Sequence, residues 1–262
     1  MKKSNYILFT IIVLVFVILS GNLSAQDELS GTVKYQKNIK YKFKNNKDPR
    51  WNNYIASLQT EGIGAYVLNF DINNALYQNN PQEQSAPPQK LQRALHARNY
   101  GRPPKPELKK VYYDLEKNEI LKQFEFMTRI FIVKSDIETK AWKFLKEKKK
   151  ILDYVCMGAE LKIGEQTITA WFTPQIPISI GPGMNFGLPG LILAVEKDGE
   201  TTFMATSIEL TPLEKGVISK PKEGKKVSQE NFDKIIKEKM EEFKRTIGSR
   251  GKGKGHGKHG RM

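Results

Sequence analysis

Apolar and charged residues alternate with period two along much of this chain. Between Ser30 and Lys44, Val33, Tyr35, Ile39, Tyr41 and Phe43 share one parity, while Lys34, Lys40, Lys42 and Lys44 occupy the other. One apolar and one charged face describe a half-buried antiparallel strand or hairpin. Gly64 to Tyr77 repeats the pattern, with Tyr66, Leu68, Phe70 and Ile72 on one side. Further strands are predicted over residues 111–115, 120–126, 129–133, 142–145, 151–157, 167–172, 191–195 and 201–210, with turns at Glu116-Lys-Asn and Asp198-Gly199. Many short strands without helical crossovers predict an antiparallel sheet.

Two segments break the pattern. Residues 78–107 form a long polar stretch holding Pro81, Pro87, Pro88, Pro103, Pro104 and Pro106, with a helical turn or two expected near Leu91 to Ala97. After a Pro/Gly/Lys linker over 211–227, Ser228 caps an amphipathic helix predicted for 228–247. Its apolar residues are Phe232, Ile235, Ile236, Met240, Phe243 and Ile247, and Gly248 is expected to end it. The Gly/Lys/His tail over 248–262 is expected to be disordered.

Residues 1–25 look different again. Lys2 and Lys3 precede an apolar run from Tyr6 to Leu19, and small residues lead to a cut expected after Ala25. This is the pattern of a cleaved secretory leader; the run is shorter than the roughly 20 residues a spanning helix needs. The only cysteine, Cys156, is not at that cut, so the expected product is a soluble exported protein, periplasmic or outer-membrane-associated, and not a lipoprotein. What remains is a single β-rich domain over 26–210, large enough for one sizeable core.

The formal charge is +15. For an exported chain the expected anionic partners are a membrane surface met by the basic tail, or an acidic envelope protein, and not nucleic acid. Catalytic parts are scarce. Cys156 lies in an apolar run and reads as a small buried hydrophobe; its only histidine partner outside the tail would be His96, in a segment predicted as loop. The carboxylates Asp114, Glu116, Glu125, Asp136 and Glu138 show no acid/base spacing. No cofactor is expected, and His256 with His259 form the one weak candidate metal site. The lysines between Lys140 and Lys150 are read as one solvated hairpin.

The stretch from Ile180 to Gly190, Ile-Gly-Pro-Gly-Met-Asn-Phe-Gly-Leu-Pro-Gly, could suggest a phosphate-binding loop. Pro182 and Pro189 each delete a donor, the glycine spacing fits no nucleotide motif, and a strand follows in place of a helix. A tight structural crossing between strands, around a sheet edge, is the stronger reading. The run from Ala170 to Leu193, containing Gly187-Leu-Pro-Gly-Leu-Ile192, resembles the motif of the GLPGLI family of exported Bacteroidota proteins. Trp142-Lys-Phe-Leu, Tyr154-Val-Cys-Met-Gly-Ala159 and Asn74-Ala-Leu-Tyr77 resemble its other motifs, and Asp153 departs from the family's glycine.

That resemblance implies a protein of unexplained role, encoded beside TonB-dependent outer-membrane transporters, which makes such a transporter the expected partner. It also implies a fold similar to the half-open β-barrel of periplasmic lipoprotein carriers. The expected protein is thus mainly β, a curved antiparallel sheet with a C-terminal helix, acting as a non-enzymatic binding or accessory protein. A carrier of a lipid or other apolar ligand, and a metal binder using the tail, are the alternatives. The candidate binding residues are Trp171, Phe172, Pro174, Pro177, Gly181, Pro182, Phe186, Gly187, Leu188, Pro189, Gly190, Leu191 and Ile192.

Overall fold

A computed structural model describes residues 29–45, 47–83, 86–99, 102–198 and 201–252. The expected leader, with its expected cut after Ala25, and the tail histidines His256 and His259 lie outside the described residues. Twelve strands form one open, curved sheet. They are β1 (Gly31–Lys40), β2 (Glu61–Phe70), β3 (Asn74–Asn79), β4 (Glu107–Asp114), β5 (Glu119–Phe126), β6 (Arg129–Asp136), β7 (Lys143–Ile151), β8 (Tyr154–Ile163), β9 (Gln166–Thr173), β10 (Leu191–Lys197), β11 (Thr201–Glu209) and β12 (Lys225–Ser228). Three helices, α1 (Pro49–Ala56), α2 (Gln89–Asn99) and α3 (Gln229–Lys252), complete the described chain.

The spatial order is β12-β6-β5-β4-β3-β2-β1-β11-β10-β9-β8-β7. The expected mainly β sheet with a C-terminal helix is therefore what the chain forms. Every pairing is antiparallel except β12 with β6, so the sheet is mixed and not purely antiparallel. β12 arises inside the segment read as a linker, because Lys225 to Ser228 add to the exposed edge of β6.

Turn residues divide two of the apolar runs, and other elements differ in their bounds. Of the strand or hairpin expected for the pattern over 64–77, the chain forms the hairpin, β2 with β3. Asp71 accepts from the backbone N–H groups of Asn73 and Asn74, and Ile72 is left 47% exposed at the tip. The strand expected over 151–157 is likewise interrupted, by Leu152 at φ 52° between β7 and β8. The supposed lysine hairpin over 140–150 is a single edge strand, β7, and Lys140 precedes it. Asp48 caps α1, which the alternation did not suggest. α2 extends over 89–99 and carries His96 on an exposed helix face, not in a loop. α3 continues through Gly248 to Lys252, beyond its expected end.

The main core lies on one face of the sheet. It joins Val33 and Tyr35 of β1, Leu68 and Phe70 of β2, Val111 and Tyr113 of β4, and Cys156 of β8 around Ile176, Ile178, Ile180 and Phe186. Those last four belong to the connection between β9 and β10. A separate cluster holds α3 against the sheet: Phe232 stacks on Phe124 at 5.0 Å and meets Phe131 at 5.4 Å.

Candidate functional site

The motif segment does not wrap a sheet edge. β9 and β10 are neighbours, and the connection between them folds back as a plug spanning the core. Alternation decides its sidedness: Ile176, Ile178 and Ile180 are buried, whereas Pro177 and Ser179 are exposed. Backbone bonds fasten it to the start of β10, from Leu191 N–H to Ile176 O and from Ile192 N–H to Ile180 O, both 2.9 Å. Tyr113 fastens it from the sheet, and Tyr35 fastens the strand β10 into which it runs. Tyr113 Oη donates to Gly183 O at 2.8 Å, and Tyr35 Oη donates to Ile192 O at 2.7 Å.

The glycines matter by position. Gly190 has φ 148°, and a Cβ there would lie 2.1 Å from the carbonyl oxygen of Thr173. Gly181 is pressed against Ile192, where a Cβ would come within 2.5 Å of that side chain's own Cβ. These are backbone close approaches made within the chain, with Pro182 buried beside them. Of the expected binding residues, Phe172, Gly181, Pro182, Phe186, Leu188, Gly190, Leu191 and Ile192 are buried. Trp171 is half-buried, with Lys149 Nζ 4.1 Å from its ring centroid, and Pro174, Pro177, Gly187 and Pro189 are exposed. The structure brings most of the motif together as core, with a thin exposed rim.

Two basic sites were not anticipated. The first is a small cavity of about 280 Å³ beneath the plug, lined by residues including Ile120, Lys122, Asp136, Glu138, Lys140, Met184, Phe186 and Gln229. Lys122 is only 8% exposed, and its Nζ donates to Gln229 Oε1 at 2.5 Å. Lys140 Nζ donates to the Met184 carbonyl and sits 3.8 Å from the Phe186 ring centroid. Neither ammonium has a carboxylate within 4 Å among the described residues. Burial pushes the Lys140 ammonium down to about 8, against the opposing charge of Glu138. Burial lowers Lys122 too, opposed by Asp233 and Glu138.

One signal for this cavity was present in the sequence. Lys122 shares its strand parity with Ile120, Phe124 and Phe126, so it interrupts an otherwise apolar face of β5. Lys140 stood out in the sequence only as the first of a lysine cluster read as a solvated hairpin, and it stands between strands.

The second site is an open cleft of about 1190 Å³ where β6, β12 and α3 meet. Lys134, Lys220, Lys222, Lys225, Lys226 and Lys234 line it, against Asp136 and Glu238. Lys134 is paired with Glu119, and Lys220 with Asp114 at 3.0 Å. The other four lysines have no carboxylate within 4 Å among the described residues. At the opposite end of the sheet, β7 is a free edge, but its register with β8 slips between Phe144 and Lys148. A bulge and a row of lysines both oppose strand addition there.

The segment that builds the plug is also where the chain resembles other proteins. A family model described as a protein of unknown function (Porph_ging) matches residues 160–194. That span runs from within β8 through β9 and the plug into β10. No curated protein matches the chain. Among solved structures, PNGF-II in space group C2 is similar, at TM-score 0.52 and 15% identity over 80% of this chain and 33% of that one. Its P21 crystal form gives 0.50 and 16%, over 80% and 34%. At that identity the likeness concerns the fold, and this chain spans about a third of the length of PNGF-II.

No group of three or more His, Cys, Asp or Glu that could hold a metal occurs among the described residues. No described helix is long and apolar enough to cross a membrane.

Proposed function

We propose that this chain is a non-catalytic accessory protein of the cell envelope, a member of the GLPGLI family, that holds an acidic partner in the cleft between β6, β12 and α3. The observation that carries the reading is a set of four lysines around one cleft, Lys222, Lys225, Lys226 and Lys234, with no carboxylate within 4 Å among the described residues. Clustered charge of one sign in a concave surface raises the local concentration of an oppositely charged partner and speeds its docking. The leader-like pattern over residues 1–25 supports export, and the motif resemblance supports a TonB-dependent transporter as the partner.

An accessory role is favoured over carriage of an apolar ligand. Ile176, Ile178 and Ile180 fill the face of the sheet where an acyl chain would otherwise lie. The test is native mass spectrometry of the protein recovered from the envelope, beside a variant with those four lysines changed to glutamate. An acidic envelope protein retained by the first and lost from the second supports the reading. A bare monomer, a bound lipid, or a complex indifferent to charge reversal overturns it.

A further inference from the structure

The small cavity beneath the plug poses a separate problem of charge. Buried ammonium groups are normally matched by a carboxylate, because desolvation penalises an isolated charge. Lys122 and Lys140 both line one cavity, and among the described residues each has only a neutral oxygen as hydrogen-bond acceptor, Gln229 Oε1 and the Met184 carbonyl. A third positive element adds to them. Gln229 is the first residue of α3, a helix of 24 residues, so the positive end of its dipole also borders the cavity. Lysines beside a helix N-terminus repel it, and an anion at the same place attracts all three.

We infer that this cavity binds a small monocarboxylate, its carboxylate seated between Lys122 and Lys140 and its tail against Ile120, Met184 and Phe186. The remaining wall chooses among anions. Asp136 and Glu138, both exposed, stand at the rim of the same cavity without a basic side chain within 4 Å among the described residues. Their negative field offsets part of the lysines' attraction for any anion, which leaves the choice among anions to the apolar wall. The apolar wall gives a short alkyl tail somewhere to go, which phosphate cannot use. About 280 Å³ is ample for a carboxylate with a short alkyl tail. The inference concerns a different cavity from the lysine cleft, and either can fail without the other.

The experiment titrates the full chain with butyrate, inorganic phosphate and butylammonium, followed by calorimetry and by the NMR resonances of the lysine side chains. Butyrate is expected to bind saturably at roughly millimolar concentration, the range for so few heavy atoms. Phosphate should bind more weakly and butylammonium not at all. Lys122→Met and Lys140→Met should each weaken butyrate by about tenfold or more, as expected for loss of one charge-assisted hydrogen bond. Thermal melts establish that each variant is folded, and the three-ligand comparison on the unaltered chain decides the matter if they are not. No saturable butyrate response, phosphate tighter than butyrate, or butyrate binding unchanged in folded lysine variants overturns the inference.

Discussion

The phenol of Tyr113, on β4, donates a 2.8 Å hydrogen bond to the carbonyl of Gly183, 70 residues further along the chain. Both partners are buried, and the ring also meets Phe186 edge-on at 6.0 Å. One side chain thus joins the sheet to the tip of the plug. Tyr113→Phe keeps the ring and strands the carbonyl, so a loss of about 1–2 kcal/mol is expected from urea unfolding. An unchanged midpoint would mean that the plug is held by its isoleucines alone.

Gly190 should tolerate no side chain. A Cβ would fall 2.1 Å from Thr173 O, against backbone that cannot give way, so Gly190→Ala should cost at least ~3 kcal/mol. Gly216 is the comparison. It also has positive φ, at 90°, but opens onto empty space, and its alanine variant should cost only about 1–2 kcal/mol. Equal melting temperatures for the two variants would contradict the close packing at Gly190.

Phe232 is the anchor of α3. It is 2% exposed between Phe124 and Phe131, and Phe232→Ala should remove about 3–5 kcal/mol from that cluster. Hydrogen exchange should then quicken in α3, β12 and β6 first, leaving β1 and β2 protected. Uniform loss of protection would show that the cluster and the main core unfold as one unit.

Cys156 should behave as a hydrophobe. It is fully buried in the main core, and desolvation pushes its thiol up to about 11, with Lys149 opposing. Thiolate reagents near neutral pH should therefore leave the folded protein unlabelled and react once denaturant unfolds it. Rapid labelling of the native protein would place the thiol at the surface.

The half-buried position of Lys140 predicts a pH dependence. Its ammonium is held at about 8 in the folded protein, below the ordinary 10.5. Between those values the unfolded chain binds more protons than the folded one, so stability contributed by this group rises with pH across that window. Below it both states are protonated and the cost of burial is constant. The unfolding midpoint relative to a Lys140→Met variant should therefore climb across that interval. The difference isolates Lys140 from Lys37, Lys122 and Lys149, whose ammonium groups burial also lowers. A flat difference would put the Lys140 ammonium in solvent.

Much of the sheet is visible in the residue pattern, because strand alternation is a local property. Val33, Tyr35 and Leu68 reach the core face that their parity implies, and the pattern around Phe232 foretells the helix that buries it. Turns inside apolar runs were harder to see. Asp71 closes a hairpin through bonds to its own backbone neighbours, and Leu152 adopts positive φ despite an apolar side chain. At Leu152 the pairing of β7 with β8 overrides local preference, whereas the Asp71 turn is local and is masked by the apolar alternation around it.

By itself, then, the sequence determined the β class, the helix on α3 and the glycine- and proline-rich character of the motif. Tertiary structure alone decided that the motif turns inward, because the groups it packs against, Val33 and Tyr35 on β1 and Tyr113 on β4, lie on remote strands that local periodicity does not record. The same holds for the two basic sites. Lys122 carried a trace in its parity, but its approach to Lys140 depends on how β5, the plug and α3 converge. A lysine becomes a buried charge only when distant segments close over it, and no local pattern encodes that closure.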